Sequence, residues 1–85
     1  MIKVKIEYNM LPQFVICLNN KDYPASLEFG KVYRVINDKE AEKHGYIRVV
    51  DESGEDYAYS SDRFTSIELP QAVEKILMSN YTAAS

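Results

Sequence analysis

The single cysteine and the single histidine are the side chains of this chain best suited to act as a nucleophile and a general base. Cys17 lies in the apolar run of residues 14–18, where we expect a buried and inert thiol. His44 ends a charged segment, where we expect a cation at the C-terminal end of a short helix. Nothing in their spacing brings the two residues together, so the sequence predicts no catalytic residue and no enzyme.

The segment between Arg48 and Arg63 is the second place where reactive side chains gather, because it contains five acids and no base. The acids are Asp51, Glu52, Glu55, Asp56 and Asp62. Carboxylates bind Ca²⁺ and Mg²⁺, but the spacing lacks the Asp-x-Asp-x-Asp-Gly order and the distal Glu of a calcium loop. A pair such as Asp51 and Asp56 at a hairpin tip would stay ionised in solvent, which disfavours acid–base catalysis. We therefore predict solvated charges, no metal and no cofactor, and keep a small enzyme or a metal-binding domain as alternatives.

Seven tyrosines among 85 residues are the least ordinary feature of the composition. Tyrosine favours strands, and it is enriched in protein interfaces because its ring offers a large area with a polar tip. Two interpretations stay open, namely packing within a sheet and binding of a partner. By alternation Tyr57 and Tyr59 share one face of a strand, and Tyr33 is expected to face the core. Tyr23 and Tyr46 lie at the ends of elements, where a ring can remain partly exposed.

Charge and hydropathy exclude several classes of function. The formal charge of −3 and the isoelectric point near 5.0 argue against binding to nucleic acid, which requires clustered Lys and Arg. No apolar run approaches the roughly 20 residues that span a bilayer, so no membrane association is expected. One cysteine cannot form an internal disulfide, and a cytoplasmic location is therefore the expectation.

A β-hairpin at residues 46–60 is the element around which the rest of the chain is organised. Two runs rich in β-branched and aromatic residues flank the polar sequence Asp51-Glu52-Ser53-Gly54. This sequence has Asp at the first and Gly at the fourth position of a type I turn, with Gly54 free to adopt a positive φ. A two-residue turn centred on Ser53 and Gly54 is the alternative register.

The remaining elements are predicted from alternation, capping residues and turn residues. Strands are expected at residues 2–8, 14–18, 31–36, 46–51, 56–60 and 65–69. Asp38 and Gly45 are the expected start and stop of a helical turn, and a 3₁₀ turn is expected at residues 61–64. A helix should begin at Pro70 and dock through Val73, Ile76 and Leu77. The chain is thus predicted to be one domain, with a barrel at 2–69, a helix at 70–80 and a frayed tail at 81–85.

The spacing of these elements over residues 23–69 resembles that of Src-homology-3-type barrels. Residues 27–36 are similar to the diverging turn, glycine and strand of that fold, and residues 45–49 to the strand after its variable loop. Residues 51–56 are similar to the distal hairpin, and residues 59–65 to the 3₁₀ turn and last strand. The resemblance implies a mostly β fold, a small antiparallel barrel of five or six strands with a short C-terminal helix. A Gly-Lys-x-Tyr strand followed by Asp-Glu-Ser-Gly-Glu-Asp also resembles a group of small bacterial proteins. No particular activity follows from this second resemblance.

Peptide-binding members of the Src-homology-3 family carry a groove built from a Trp, a Pro and a Tyr. The corresponding positions hold Tyr46, Ser60 and Phe64 here, so the usual pocket for a proline-rich ligand is not expected. We expect a non-catalytic protein–protein interaction module, with a structural or regulatory homodimer subunit as the alternative.

The predicted binding surface combines aromatic area with surrounding acids. Its residues are Tyr23, Tyr46, Tyr57, Asp51, Glu55 and Asp62. In the fold that the chain resembles, the segments carrying them lie side by side. The tyrosines would supply buried area, and the acids would steer a basic protein partner toward them.

Overall fold

The computed structural model of the chain describes residues 14–84, with side chains described as far as residue 79. The strand predicted at residues 2–8 lies outside the described residues. Within them the order of elements is β1 (Phe14–Cys17), β2 (Val32–Ile36), α1 (Lys39–Lys43), β3 (Tyr46–Val50), β4 (Asp56–Ser60), a 3₁₀ turn (Ser61–Arg63), β5 (Phe64–Ile67) and α2 (Gln71–Ala84). The five strands predicted in this range are confirmed, although β5 ends two residues earlier than expected.

The five described strands form one antiparallel sheet in the order β4-β3-β2-β1-β5. Strand β2 belongs to two ladders, because residues 32–34 pair with β1 whereas residues 35 and 36 pair with β3. The prediction of a mostly β fold with a C-terminal helix is therefore confirmed. A closed barrel is not confirmed, because β5 pairs with β1 and no ladder joins β5 to β4, as closure would require.

The core lies on one face of this sheet, where the alternating residues of all five strands meet a residue of the long β1–β2 loop. Cys17 has no exposed surface, so its thiol packs as a small hydrophobe, as predicted. The buried cluster comprises Val15, Cys17, Leu27, Tyr33, Val49, Tyr59 and Phe64. Tyr33 and Tyr59 are the two members of this cluster that carry a polar group which needs a partner.

Helix α1 forms as its capping residues predict. The amide of Ala41 donates to Asp38 Oδ1 at 3.0 Å, and Gly45 has a φ of +78° just after the helix. The guanidinium of Arg48 donates to Asp38 Oδ2 at 2.8 Å and to Asp56 Oδ1 at 3.1 Å, which ties the helix to the hairpin. The amide of Ala41 and the guanidinium of Arg48 together hold the pKa of Asp38 below its usual value.

Helix α2 departs from the prediction in its docking and in its length. Val73 and Ile76 are exposed, Ile76 by 62%, and Leu77 alone of the predicted stripe is partly buried. The three-residue spacing defines a stripe on the helix but supplies no surface for it to pack against, and single exposed apolar side chains are common. The helix runs to Ala84, so four of the five residues assigned to a frayed tail are helical.

The hairpin turn adopts the first of the two predicted registers. The amide of Gly54 donates to the carbonyl of Asp51 at 2.9 Å, which closes a four-residue turn. Gly54 has a φ of +86°, and the amide of Asp51 donates to the carbonyl of Glu55 at 3.0 Å. This is the three-residue hairpin loop in which a left-handed residue follows a type I turn.

We expect Gly54→Val to lower the free energy of unfolding by about 1–2 kcal/mol or more, because a β-branched residue is strained at positive φ. Apart from Gly54 and its two neighbours in the chain, no described residue has an atom within 4 Å of the position that a Cβ would occupy, so the loss would come from the backbone and not from a clash. Gly54→Asn is the matched control and should lose less, because Asn tolerates this conformation. Urea denaturation measures both, and equal stability of the valine variant and the wild type would contradict the turn.

Candidate protein-binding site

The buried ring of Tyr59 is the centre of the candidate site. The rings of Tyr23 and Tyr57 each lie with their centroids 5.0 Å from that of Tyr59, at interplanar angles of 84° and 59°. Phe64 contacts the same ring from the core at 6.1 Å. These steeply inclined arrangements are favourable for aromatic pairs. We call Tyr23, Tyr57 and Tyr59 the tyrosine cluster.

Strand β4 positions two members of the cluster by simple alternation. Tyr59 pairs with Ile47 and Tyr57 pairs with Val49, whose side chain is fully buried, so both tyrosines lie on the core face of the ladder. Tyr57 nevertheless remains 53% exposed. It lies near the hairpin end of β4, which is an edge of the described sheet. The ring of Tyr57 is thus exposed to solvent while its backbone is held in the β3–β4 ladder.

The third member, Tyr23, is held by the β1–β2 loop. Its carbonyl accepts from the amides of Ser26 at 3.2 Å and Leu27 at 2.9 Å, which forms a compact turn. The guanidinium carbon of Arg63 lies 4.8 Å from the centre of the Tyr23 ring, within range of a cation–π interaction. Arg63 also donates to the loop carbonyl of Lys21 at 2.7 Å. One face of Tyr23 is therefore already covered by a cation of this chain.

The two buried tyrosines donate their hydroxyls to the two acids at the start of the hairpin turn. The hydroxyl of Tyr59 donates to Asp51 Oδ2 at 2.7 Å, and that of Tyr33 donates to Glu52 Oε2 at 2.5 Å. Lys31 Nζ lies 2.8 Å from the same oxygen of Glu52. The prediction that these acids are solvated charges is wrong for Asp51 and Glu52. The signal was the presence of core tyrosines without another acceptor, but only the folded structure shows which acids reach them.

These contacts shift the pKa values of all four groups. Burial raises the pKa of Asp51, but the hydrogen bonds from the Ser53 hydroxyl and the Tyr59 hydroxyl outweigh it and leave the pKa below its usual value. The ammonium of Lys31 and the hydroxyl of Tyr33 lower the pKa of Glu52. Burial, strengthened by the adjacent carboxylate, raises the pKa of Tyr59 to about 12 and also raises that of Tyr33. The tyrosines are therefore hydrogen-bond donors and the acids are ionised acceptors at neutral pH.

The residues of the predicted binding surface lie on two different faces of the sheet. Tyr23, Tyr57 and Asp51 all contact Tyr59 and so come together. Tyr46 pairs with Ser60 and lies three residues from Val49, so the alternation of β3 places it on the opposite face from Tyr57. The single face proposed for Tyr23, Tyr46 and Tyr57 is therefore corrected, because the register of β3 against β4 places Tyr46 and Tyr57 on opposite faces of the sheet.

The remaining predicted acids differ in what they contact. Asp62 accepts from the hydroxyl of Ser60 at 2.7 Å, which groups it with Tyr46 rather than with the tyrosine cluster. Glu55 is exposed, and its carboxylate has no hydrogen bond or ion pair with residues 14–84, although its backbone amide donates to the Ser53 hydroxyl at 3.2 Å. It lies two residues before Tyr57 on the chain. Glu55 is thus the predicted acid that remains free beside the cluster.

The remaining candidates for catalysis or metal binding are His44, Cys17 and groups of acidic side chains. His44 is exposed, with its Nε2 3.4 Å from Glu40 Oε2 on the same helix, and Cys17 is buried in the core. Among the described residues no group of three or more His, Cys, Asp or Glu side chains could hold a metal ion. Neither helix of residues 14–84 has the length and apolar character needed to cross a membrane.

No family model, no curated protein and no solved structure matches the chain. The interpretation of the site therefore depends on its own geometry.

We expect Tyr33→Phe to destabilise the protein by about 1.5–3 kcal/mol, the range for a hydrogen bond to a charged group. The change removes the donor to Glu52 and also the acceptor of the Glu28 amide, which lies 2.7 Å from the Tyr33 hydroxyl. Tyr46→Phe is the matched control, because it deletes a hydroxyl that has no partner among the described residues and should change stability by less than about 0.5 kcal/mol. Equal urea midpoints for the two variants would contradict the assigned role of Tyr33.

The stability of the fold should fall in acid. The pKa values of Asp51 and Glu52 are lowered in the folded state, so their stabilisation is complete above the ordinary values of 3.8 and 4.5 and is lost as the pH falls through the lowered values. Melting temperatures measured from pH 7 to pH 2 should stay level and then drop below about pH 4. Glu52→Gln should flatten this drop, whereas Glu55→Gln should retain it. A drop of equal size in both variants would exclude Glu52 as a cause.

Proposed function

We propose that this chain is a non-catalytic protein-binding domain whose partner docks on the tyrosine cluster. The observation that carries the proposal is Tyr57, an aromatic ring that is 53% exposed and is held against the buried ring of Tyr59. A rigid aromatic side chain loses little conformational entropy on binding, and aromatic residues dominate the energetics of interfaces. A fixed ring with half its surface in water is what such an interface needs.

We also propose that the fold is a Src-homology-3-like barrel in which the usual ligand groove is absent. Its support is the strand order, the sharing of β2 between two ladders and the 3₁₀ turn between β4 and β5. The position of the family's Trp holds Tyr46, which lies on the opposite face from the tyrosine cluster. A ligand of this domain would therefore use a different surface from the one that proline-rich peptides use in that family.

The partner is proposed to be basic at the point of contact. Glu52 and Asp56 are paired with Lys31 and Arg48, whereas the carboxylate of Glu55 has no such partner among the described residues. The whole chain carries a formal charge of −3. Lys or Arg side chains approaching Tyr57 would thus find an uncompensated negative charge close to an aromatic face.

Photo-crosslinking tests the proposal directly. With a benzophenone amino acid in place of Tyr57, we expect a crosslinked protein adduct in lysate of the source cells, and none with the same group at Tyr46. Tyr46 is a close control, since it is 46% exposed on the opposite face of the same ladder. Adducts of equal yield at both positions, or at Tyr46 alone, would contradict the proposed surface, and an adduct of twice the chain mass would indicate a homodimer.

The captured partner then allows a quantitative measurement. Tyr57→Ala should weaken its affinity about tenfold or more by faster dissociation, as for truncation of an interface aromatic. Glu55→Lys should mainly slow association and reduce the dependence of the rate on salt. Tyr46→Ala should bind as the wild type does.

A further inference from the structure

Among the described strands, β4 has a neighbour on one side only. The amide of Ser61 donates to the carbonyl of Gly45 at 2.9 Å and that of Asp51 donates to Glu55 at 3.0 Å, which fixes the phase of the β3–β4 ladder. The odd-numbered residues of β4 therefore bond to β3, and the even-numbered ones turn their N–H and C=O groups away from it. Asp56 and Ala58 have no backbone partner for these groups among the described residues, and neither has the amide of Ser60. The carbonyl of Ser60 is used, because Ser60 is the residue that caps the 3₁₀ turn and accepts its first hydrogen bond.

This edge lacks the usual protection against strand addition. Natural edge strands carry Lys, Pro or a bulge that prevents pairing with another chain. Residues 56–60 read Asp-Tyr-Ala-Tyr-Ser and contain none of these, and the ladder to β3 runs without interruption over all five residues. The backbone groups of Asp56 and Ala58 and the amide of Ser60, which have no partner among the described residues, are thus available to an extended segment.

The opposite edge of the sheet, at β5, offers fewer backbone groups for strand addition. The outward residues of β5 are Phe64 and Ser66, because the carbonyl of Arg63 accepts from Leu18 on the β1 side. The amide of Phe64 donates to the carbonyl of Ser61 and is already used by the 3₁₀ turn. Ser66 is therefore the one β5 residue whose outward amide and carbonyl both lack a partner among the described residues.

Charge selects the kind of strand that β4 can accept. A second copy pairing antiparallel about Ala58 would bring Glu55 and Asp56 of each copy beside Ser60 and Asp62 of the other, with acids near acids at both ends. Like charges opposed across strands are destabilising, whereas opposite charges contribute favourably. A segment with Lys or Arg at alternate positions, all directed to the face of Tyr57, meets Glu55 with the opposite sign.

We propose that an extended segment of another protein, with Lys or Arg at alternate positions, adds to β4 as a sixth antiparallel strand. This inference rests on the proposed function and specifies its mode of binding. Backbone hydrogen bonds to both groups of Asp56 and Ala58 and to the amide of Ser60 hold the segment. Its side chains alternate between the two faces of the sheet, so every second one lies on the face of Tyr57.

The probe for a test is a capped heptapeptide of sequence Lys-Val-Lys-Val-Lys-Val-Lys, compared with its Glu-Val counterpart and with a version N-methylated at alternate residues. In an NMR titration of the full chain, the lysine peptide should shift the amides of Asp56, Ala58 and Ser60 and slow their exchange. The glutamate peptide should not bind. N-methylation removes the peptide's edge donors without changing its charge, and should weaken binding about tenfold or more.

Two proline variants separate strand addition from other docking. Ala58→Pro deletes an outward amide and no β3 hydrogen bond, so it should fold and lose the peptide. Ser66→Pro deletes the equivalent amide on the β5 edge and should bind within about twofold of the wild type, since β5 is not the acceptor. If Ala58→Pro does not fold, the N-methylated peptide decides.

The outcomes distinguish this inference from the function on which it rests. Slow exchange of the Asp56, Ala58 and Ser60 amides in the free protein would mean that the edge is already filled, and would overturn strand addition. Unchanged binding of the N-methylated peptide or by Ala58→Pro would also overturn it. If Tyr57→Ala still weakens binding in that case, the proposed function stands without the strand mode. If Tyr57→Ala has no effect either, both fail.

Discussion

Two hydrogen bonds from buried phenols to carboxylates are the constraint on which the rest of this structure depends. Tyr33 and Tyr59 lie almost wholly inside the core, and each needs an acceptor for its hydroxyl if burial is not to cost free energy. Glu52 and Asp51 are those acceptors, and both belong to the hairpin turn. The turn is thereby fastened to the core, and the amide of Glu52 extends the attachment by donating to the carbonyl of Ser26 at 2.9 Å. Removal of one partner of such a hydrogen bond would leave the other buried without a partner. This costs more free energy than the loss of the hydrogen bond itself.

The same contacts fix the surface that is available for binding. Because Asp51 holds Tyr59, the ring of Tyr59 is a stationary support for Tyr23 and Tyr57 on either side. Arg63 covers Tyr23, which leaves Tyr57 as the ring of the cluster that is more than half open to solvent. Stability and the proposed binding thus depend on one residue of β4, and we expect a substitution at Tyr59 to affect both. Tyr57 contributes no such hydrogen bond to stability, since its hydroxyl has no partner among the described residues.

The parts of this structure that follow local rules could be predicted from the sequence, and the parts that depend on distant contacts could not. The Asp38 cap and the Gly54 turn follow from chemistry within four residues of each position. The separation of Tyr46 from Tyr57 required the register of β3 against β4, and a shift of one residue would have reversed it. The role of Glu52 required its contact with Tyr33, 19 residues away. For Val73 and Ile76 the spacing was helical as expected, but spacing alone cannot identify the surface that a helix contacts.

The acids of the hairpin also bear on how an unprotected edge strand is kept from pairing with its own kind. A lysine within β4 would protect the edge, but the strand instead has acids next to both ends, Glu55 and Asp62. In the antiparallel register centred on Ala58, these acids of two identical molecules would lie near one another at both ends and repel, so this pairing is opposed without any change to the strand itself. This protection depends on the sign of the charge that the approaching segment carries. It acts against another copy of an acidic chain and not against a basic segment, and it weakens as salt screens exposed charges beyond about 8 Å. An edge protected by charge is therefore open to partners of one kind, whereas an edge protected by proline would be closed to all.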